Sequence, residues 1–170
     1  MSWSSAVRRP LARTVLVGLA LALSACGFHL RGQGTYEFTS IYVNGAKSVF
    51  EAELKRSLEG GGTAKVMESA VGAQVILDVP VVVEEKDVLT LSSGGSVREY
   101  QLVMRVTFRL HDTEGLDWLP AGEITLRRSY TFNETEALAR EAEEQRLLRE
   151  MQSDAVAQLM RRLQAAHKPA

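Results

Sequence analysis

The segment EYQLVMRVTFRL, Glu99 to Leu110, decides the fold class. Tyr100, Leu102, Met104, Val106, Phe108 and Leu110 point one way, and Glu99, Gln101, Val103, Arg105, Thr107 and Arg109 the other. A period of two with one apolar and one wet side predicts an antiparallel strand covered on one face. Upstream, residues 74–84 predict a second strand, with Val75, Leu77, Val79, Val81 and Val83 on one face. Pro80 has no amide hydrogen to donate, so this strand is expected at a sheet edge or bulged there. The charged run Glu84-Glu85-Lys86-Asp87 reads as solvent-facing, and Ser92-Ser93-Gly94-Gly95-Ser96 as the tip of a long hairpin joining the two strands.

Working outward, Ser40-Ile41-Tyr42-Val43 predicts a short strand closed by the turn dipeptide Asn44-Gly45. Ser48 followed by Glu51 is a capping-box spacing, and Val49, Phe50, Leu54 and Leu58 share one side of the helix that follows. Gly60-Gly61-Gly62 ends that helix. Val66 and Met67 begin at most a short edge. Ile124, Leu126, Tyr130 and Phe132 predict a fourth strand, interrupted by Arg128, which is expected near the rim or at a twist. A long helix is predicted over residues 136–166, with Leu138, Ala142, Leu148, Met151, Ala155, Leu159 and Leu163 on its apolar side. Arg161 and Arg162 near its end suit the helix dipole. His167-Lys168-Pro169-Ala170 reads as a frayed tail. The order strand, helix, three strands, helix predicts an α+β two-layer sandwich. Two helices pack on one face of a mainly antiparallel four-stranded sheet, in a single domain over residues 39–167.

The N-terminus tells a separate story. Residues 1–13 carry Arg8, Arg9 and Arg13 and no acid, and Val15 to Leu23 is apolar apart from Gly18. That run is shorter than the roughly 20 residues a spanning helix needs and fits the apolar region of an export signal. Leu23-Ser24-Ala25-Cys26 places the chain's only cysteine directly after small residues, as in a bacterial lipoprotein signal. The expectation is a signal peptide over residues 1–25, cleavage between Ala25 and Cys26, and acylation of Cys26 on sulfur and on the new amino group. Several acyl chains anchor firmly, at about 0.8 kcal/mol per buried CH₂. Residues 26–38, with Gly27, Gly32 and Gly34, read as a tether.

Cleavage leaves 145 of 170 residues, enough for one domain with a core of its own, carrying 17 Lys+Arg against 21 Asp+Glu, a net −4. Nucleic acid is not an expected partner, since that calls for a strongly basic surface. His29, His111 and His167 show no metal-ligand spacing, and no nucleophile elbow or phosphate-binding glycine loop is present. Glu84-Glu85 and Glu143-Glu144 read as solvated faces. Neither an enzyme, a cofactor nor a metal is expected.

Cys26-Gly27-Phe28-His29-Leu30-Arg31-Gly32, together with the lipoprotein signal before it, resembles the mature start of the lipopolysaccharide-assembly lipoprotein family, LptE or rare lipoprotein B. Glu99-Tyr100-Gln101-Leu102-Val103-Met104 is similar to that family's third strand. Ala137 to Arg140, Leu148 to Met151 and Ala157 to Leu163 are similar to its last helix. The resemblance implies a non-enzymatic lipoprotein of the outer membrane, lipid-anchored on the periplasmic side, that sits in the lumen of the β-barrel LptD. There it would assist barrel assembly and take part in inserting lipopolysaccharide into the outer leaflet. Gly27, where an Asp would retain a lipoprotein in the inner membrane, implies outer-membrane sorting. The resemblance also implies lipopolysaccharide contact by a basic residue in the hairpin tip, which is Ser93 here, with Arg98 just beyond as a substitute, and by Arg140 in the last helix. Each arginine is also readable as a solvated surface charge. The alternative is a free-standing lipid-binding lipoprotein or chaperone without a fixed barrel partner, which would need a sizeable apolar pocket between sheet and helices.

Overall fold

A computed structural model describes residues 35–45, 48–61, 63–133 and 137–169. The expected signal peptide, the expected cleavage site between Ala25 and Cys26 and most of the expected tether lie outside the described residues. The described residues form five strands: β1 (Ser40–Gly45), β2 (Lys65–Met67), β3 (Val75–Leu91), β4 (Val97–Asp112) and β5 (Asp117–Thr131). Helix α1 (Val49–Gly61) joins β1 to β2, and α2 (Ala137–Gln164) follows β5. The sheet order is β2-β1-β3-β4-β5. β1 runs parallel to both of its neighbours, whereas β3, β4 and β5 form an antiparallel meander. The α+β class stands as expected, with five strands rather than four. The extra one, β2, pairs Lys65 to Met67 with Ser40 to Tyr42 and is too short to carry a readable period.

The core lies between the sheet and the two helices. Ile41, Leu54, Leu77, Leu102, Met104, Leu110, Ile124, Met151, Leu159 and Leu163 are all fully buried there. Each such side chain contributes about 1.5–3 kcal/mol of hydrophobic stabilisation. The helices also touch one another, with Glu53 of α1 accepting hydrogen bonds from Gln152 Nε2 and Ser153 Oγ of α2, both at 2.7 Å.

Pro80 sits where β1 stops, since Gly45 pairs with Val79 and the β3–β4 register shifts between Asp78 and Val81. Edge and bulge therefore coincide at the one residue that cannot donate. The bulge has a consequence the alternation did not show: it inverts the side-chain order. Beyond it Val82 pairs with Val106 toward the helices, while Val83 pairs with Arg105 on the open face and Val81 is exposed. Val81 and Val83 therefore do not continue the Val75–Leu77–Val79 face.

Ser48 caps α1, its Oγ accepting from Glu51 N at 3.2 Å. The Glu51 carboxylate turns to Lys55 at 2.8 Å. Only the serine half of the expected box is in place. Ser48→Ala is expected to cost about 1 kcal/mol, read as a lowered urea midpoint with unchanged slope. Val49 is 71% exposed, so the buried side of α1 is Phe50, Leu54 and Leu58.

On α2 the apolar side begins later than expected. Leu138 is 84% exposed and Ala142 is exposed, and burial starts at Leu147 and continues through Met151, Ala155, Val156, Leu159 and Leu163. The first turns lie over the hairpin arm, where the sheet offers Lys86 and Tyr130 to Glu144 rather than an apolar surface. Arg128 lies on the edge strand and reaches Asp154 of α2 at 2.9 Å, an ion pair that accounts for the interruption in β5.

Two expectations at the chain ends are corrected. The segment read as tether already belongs to the core by Tyr36 and Phe38, which are 5% and 1% exposed. Phe38 stacks on Tyr36 with ring centres 5.0 Å apart and meets Trp118 edge-on at 6.3 Å. The tail is tied down rather than frayed: Glu37 accepts from Lys168 N at 2.8 Å and pairs with His167 at 3.3 Å.

Candidate functional site

The hairpin tip closes through Gly95, whose φ of +83° suits a residue without a side chain. Ser92 O accepts from Gly95 N at 3.0 Å, and Ser92 N donates to Ser96 O at 2.7 Å. Just past the tip, Arg98 O accepts from Phe132 N at 2.7 Å, which fastens the end of β5 to the start of β4. Arg140 stands in the opening turn of α2, directly above. A cleft of about 630 Å³ results, with Ser92, Ser96, Arg98, Phe132, Asn133 and Arg140 in its wall. Two of the three residues expected to contact a ligand are thus brought together. Ser93 is exposed in the turn and is not part of the lining, where the tip contributes Ser92 and Ser96 instead.

A smaller cleft of about 290 Å³ adjoins it and shares Arg140 and Phe132. In its floor lie Lys86 and Glu144, both expected to face solvent, with Tyr130. Lys86 Nζ lies 2.5 Å from Glu144 Oε2, 4.3 Å above the Tyr100 ring and 5.7 Å from that of Tyr130. Tyr130 Oη donates to the same Glu144 oxygen at 2.5 Å, and Phe132 sets its edge against Tyr100 at 5.3 Å. Burial alone would depress the Lys86 ammonium, but its bonds to Glu144 and Tyr130 outweigh that and push it up to about 12. Burial would raise the Glu144 carboxyl, yet hydrogen bonds from Lys86 and Tyr130 hold it below the ordinary carboxylate value. Burial raises the Tyr130 phenol. Lys86 and Glu144 are therefore both charged at neutral pH. A general acid or base works best with a pKa near the operating pH. This group is suited to holding the hairpin arm against α2 and to shaping the cleft above it.

Among the described residues, no group of three or more His, Cys, Asp and Glu is placed to hold a metal ion. His111 instead lies 3.0 Å from Asp78, whose other oxygen accepts from Asn44 at 2.7 Å. The open face of the sheet carries further ion pairs, Arg105 with Glu85 at 2.5 Å and Arg109 with Asp117 at 2.6 Å.

The arginine cleft and the start of the described chain occupy opposite ends of the domain. Tyr36 Oη reaches Met160 Sδ at 3.8 Å near the end of α2, while Arg140 stands at its beginning. Along α2 the two points are 20 residues apart (160 − 140), or about 30 Å at some 1.5 Å per residue.

Comparison with known proteins agrees with this architecture. The model of the LptE family, described as lipopolysaccharide-assembly, matches residues 38–163. The LPS-assembly lipoprotein LptE of Photorhabdus laumondii is 28% identical over 91% of this chain and 86% of its own length. That of Pectobacterium atrosepticum is 28% identical over 88% and 83%. The solution structure of lipoprotein B from Nitrosomonas europaea superposes with a TM-score of 0.71 at 36% identity, covering 82% of this chain and 91% of that one. The crystal structure of rare lipoprotein B from Shewanella oneidensis shares the fold, with a TM-score of 0.62 at 21% identity over 75% and 95%. With the family model spanning nearly the whole described domain, the chain belongs to the LptE lipopolysaccharide-assembly family.

Proposed function

We propose that this chain is a lipid-anchored subunit of the outer-membrane lipopolysaccharide translocon, acting without covalent chemistry. Cys26 carries the acyl chains after cleavage at Ala25 and holds the protein on the periplasmic side of the outer membrane. The folded domain plugs the lumen of an LptD-type β-barrel, assists the barrel's assembly, and contacts lipopolysaccharide on its way to the outer leaflet. The observation that carries this reading is the family match over residues 38–163. The geometry supports it in two ways. The open face of the sheet is polar and rich in ion pairs, as a plug in a wet lumen requires. Arg98 and Arg140 converge on one cleft at the end of the domain far from Thr35. There they suit the phosphates of lipid A, because guanidinium–phosphate pairs are strong and bidentate.

Purification of the full acylated chain from solubilised outer membranes tests the reading. The wild type is expected to bring down a barrel of several hundred residues together with lipopolysaccharide, and to carry the mass of the acyl groups on Cys26. The double variant Arg98→Glu, Arg140→Glu is expected to keep the barrel while losing bound lipopolysaccharide by about tenfold, or roughly 1.4 kcal/mol. Wild-type protein recovered alone, or a double variant with undiminished lipopolysaccharide, would count against the plug and the cleft respectively.

A further inference from the structure

β3 pairs with β4 along nearly its whole length, but its other side is paired only over Val75 to Val79, because β1 ends at Gly45. From Val81 to Leu91 the outer backbone edge has no partner strand among the described residues. The open slot continues the line of β1. Exposed apolar side chains gather along this stretch: Val81, Val88, Leu89 and Leu91, with Val49 of α1 at its lip. Beside the slot, on the helix side, runs a groove of about 500 Å³ with Val49, Phe50, Val82, Glu84, Leu148 and Arg149 in its walls. A row of unpaired amides and carbonyls next to a groove that accepts alternate side chains is the arrangement by which an extended segment adds to a sheet.

Charge narrows the choice of occupant. In the middle of the edge Lys86 turns to Glu144 and Glu85 turns to Arg105. Glu84 and Asp87, both exposed, are in no ion pair among the described residues. A second copy paired antiparallel along this edge with Glu84 across from Asp87 would set acid against acid, which destabilises cross-strand pairs. A segment bearing Lys or Arg would match it. We infer that the outer edge of β3, Val81 to Leu91, is a strand-addition site for an extended basic segment of the barrel partner, with an apolar side chain of that segment seated between Val49 and Leu148. The identity of the partner rests on the plug reading; the edge, groove and charge do not.

Backbone hydrogen exchange of the full acylated chain, free and in complex with the barrel, tests this. In the complex, amides between Val82 and Leu91 are expected to slow at alternate residues, because only every second amide faces outward. The double variant Glu84→Lys, Asp87→Lys alters exposed positions only and is expected to reduce barrel recovery at least tenfold with an unchanged melting temperature. Glu114→Lys, at the other end of the sheet, is expected to leave recovery intact. A complex that forms with unchanged exchange along β3, or a double variant that recovers the barrel normally, overturns the inference while leaving the plug reading standing. Protection already present in the free chain overturns it as well, because the slot is then filled by the chain itself. A wild-type chain that brings down no barrel removes the partner and overturns both.

Discussion

Phe38→Ala is expected to cost about 3–5 kcal/mol of folding stability, the range for emptying a buried aromatic site. The ring is 1% exposed, lies between Tyr36 and Trp118, and closes the end of the core where β1 begins. Relaxation is restricted on both sides, because Tyr36 is held against Met160 and the neighbouring Glu37 is tied to His167 and Lys168. Urea unfolding of the variant should show a lower midpoint and a melting temperature down by about 10 °C or more. Val49→Ala, at a 71% exposed position, serves as the control and should stay within about 0.5 kcal/mol. A loss below about 1 kcal/mol for Phe38→Ala would mean that the folded domain begins at Thr39 after all, with Tyr36 and Phe38 part of a tether.

That boundary illustrates what a linear pattern can and cannot carry. Tyr36 and Phe38 alternate like a strand, but they are separated by Glu37 and follow three glycines, so too few residues stand in register to reveal a period. Their burial depends on Trp118 and Met160, which are remote in sequence. The hairpin, by contrast, is legible because β4 keeps its alternation apart from Val103, which is buried although it falls on the polar side, and because the tip is marked by Gly94-Gly95. The limit there was the bulge. Pro80 signalled it, but the inversion it imposes turns Lys86 toward the helices, out of the solvent-facing role its charged neighbours suggested. Leu138 failed for the complementary reason: its helical spacing was sound, but the arm beneath the first turns of α2 presents a charge network in place of an apolar floor. Of the expected site, Arg98 and Arg140 became a pair only through the docking of α2 over the hairpin. Lys86, Tyr130 and Glu144 carried no signal stronger than charge and aromaticity at unrelated positions.

Lys86→Met keeps an apolar stem and removes the ammonium that lies over the Tyr100 ring and pairs with Glu144, and it is expected to lower stability at pH 7 by about 1–2 kcal/mol. Hydrogen bonds to charged groups are worth about 1.5–3 kcal/mol, and the partial exposure of Lys86 reduces that through solvent screening. The pH dependence distinguishes charge from packing. The Lys86 ammonium is raised from 10.5 to about 12 in the folded state. Its contribution is therefore complete below about pH 10.5 and is lost as the pH rises through about 12. Glu144 is lowered from 4.5, so its contribution is complete above about pH 4.5 and is lost as the pH falls through the folded value. The stability gap between wild type and Lys86→Met should thus be level across the intervening range and close at both ends, as read from urea unfolding at a series of pH values. A gap that persists undiminished into acid would place the stabilisation in the contact of the ammonium with the Tyr100 ring rather than in the ion pair. Because Arg140 lines the same cleft as Lys86 and Glu144, loosening this pair frees the first turns of α2 to shift. The variant is then expected to weaken lipopolysaccharide binding while Arg98 and Arg140 themselves are unchanged.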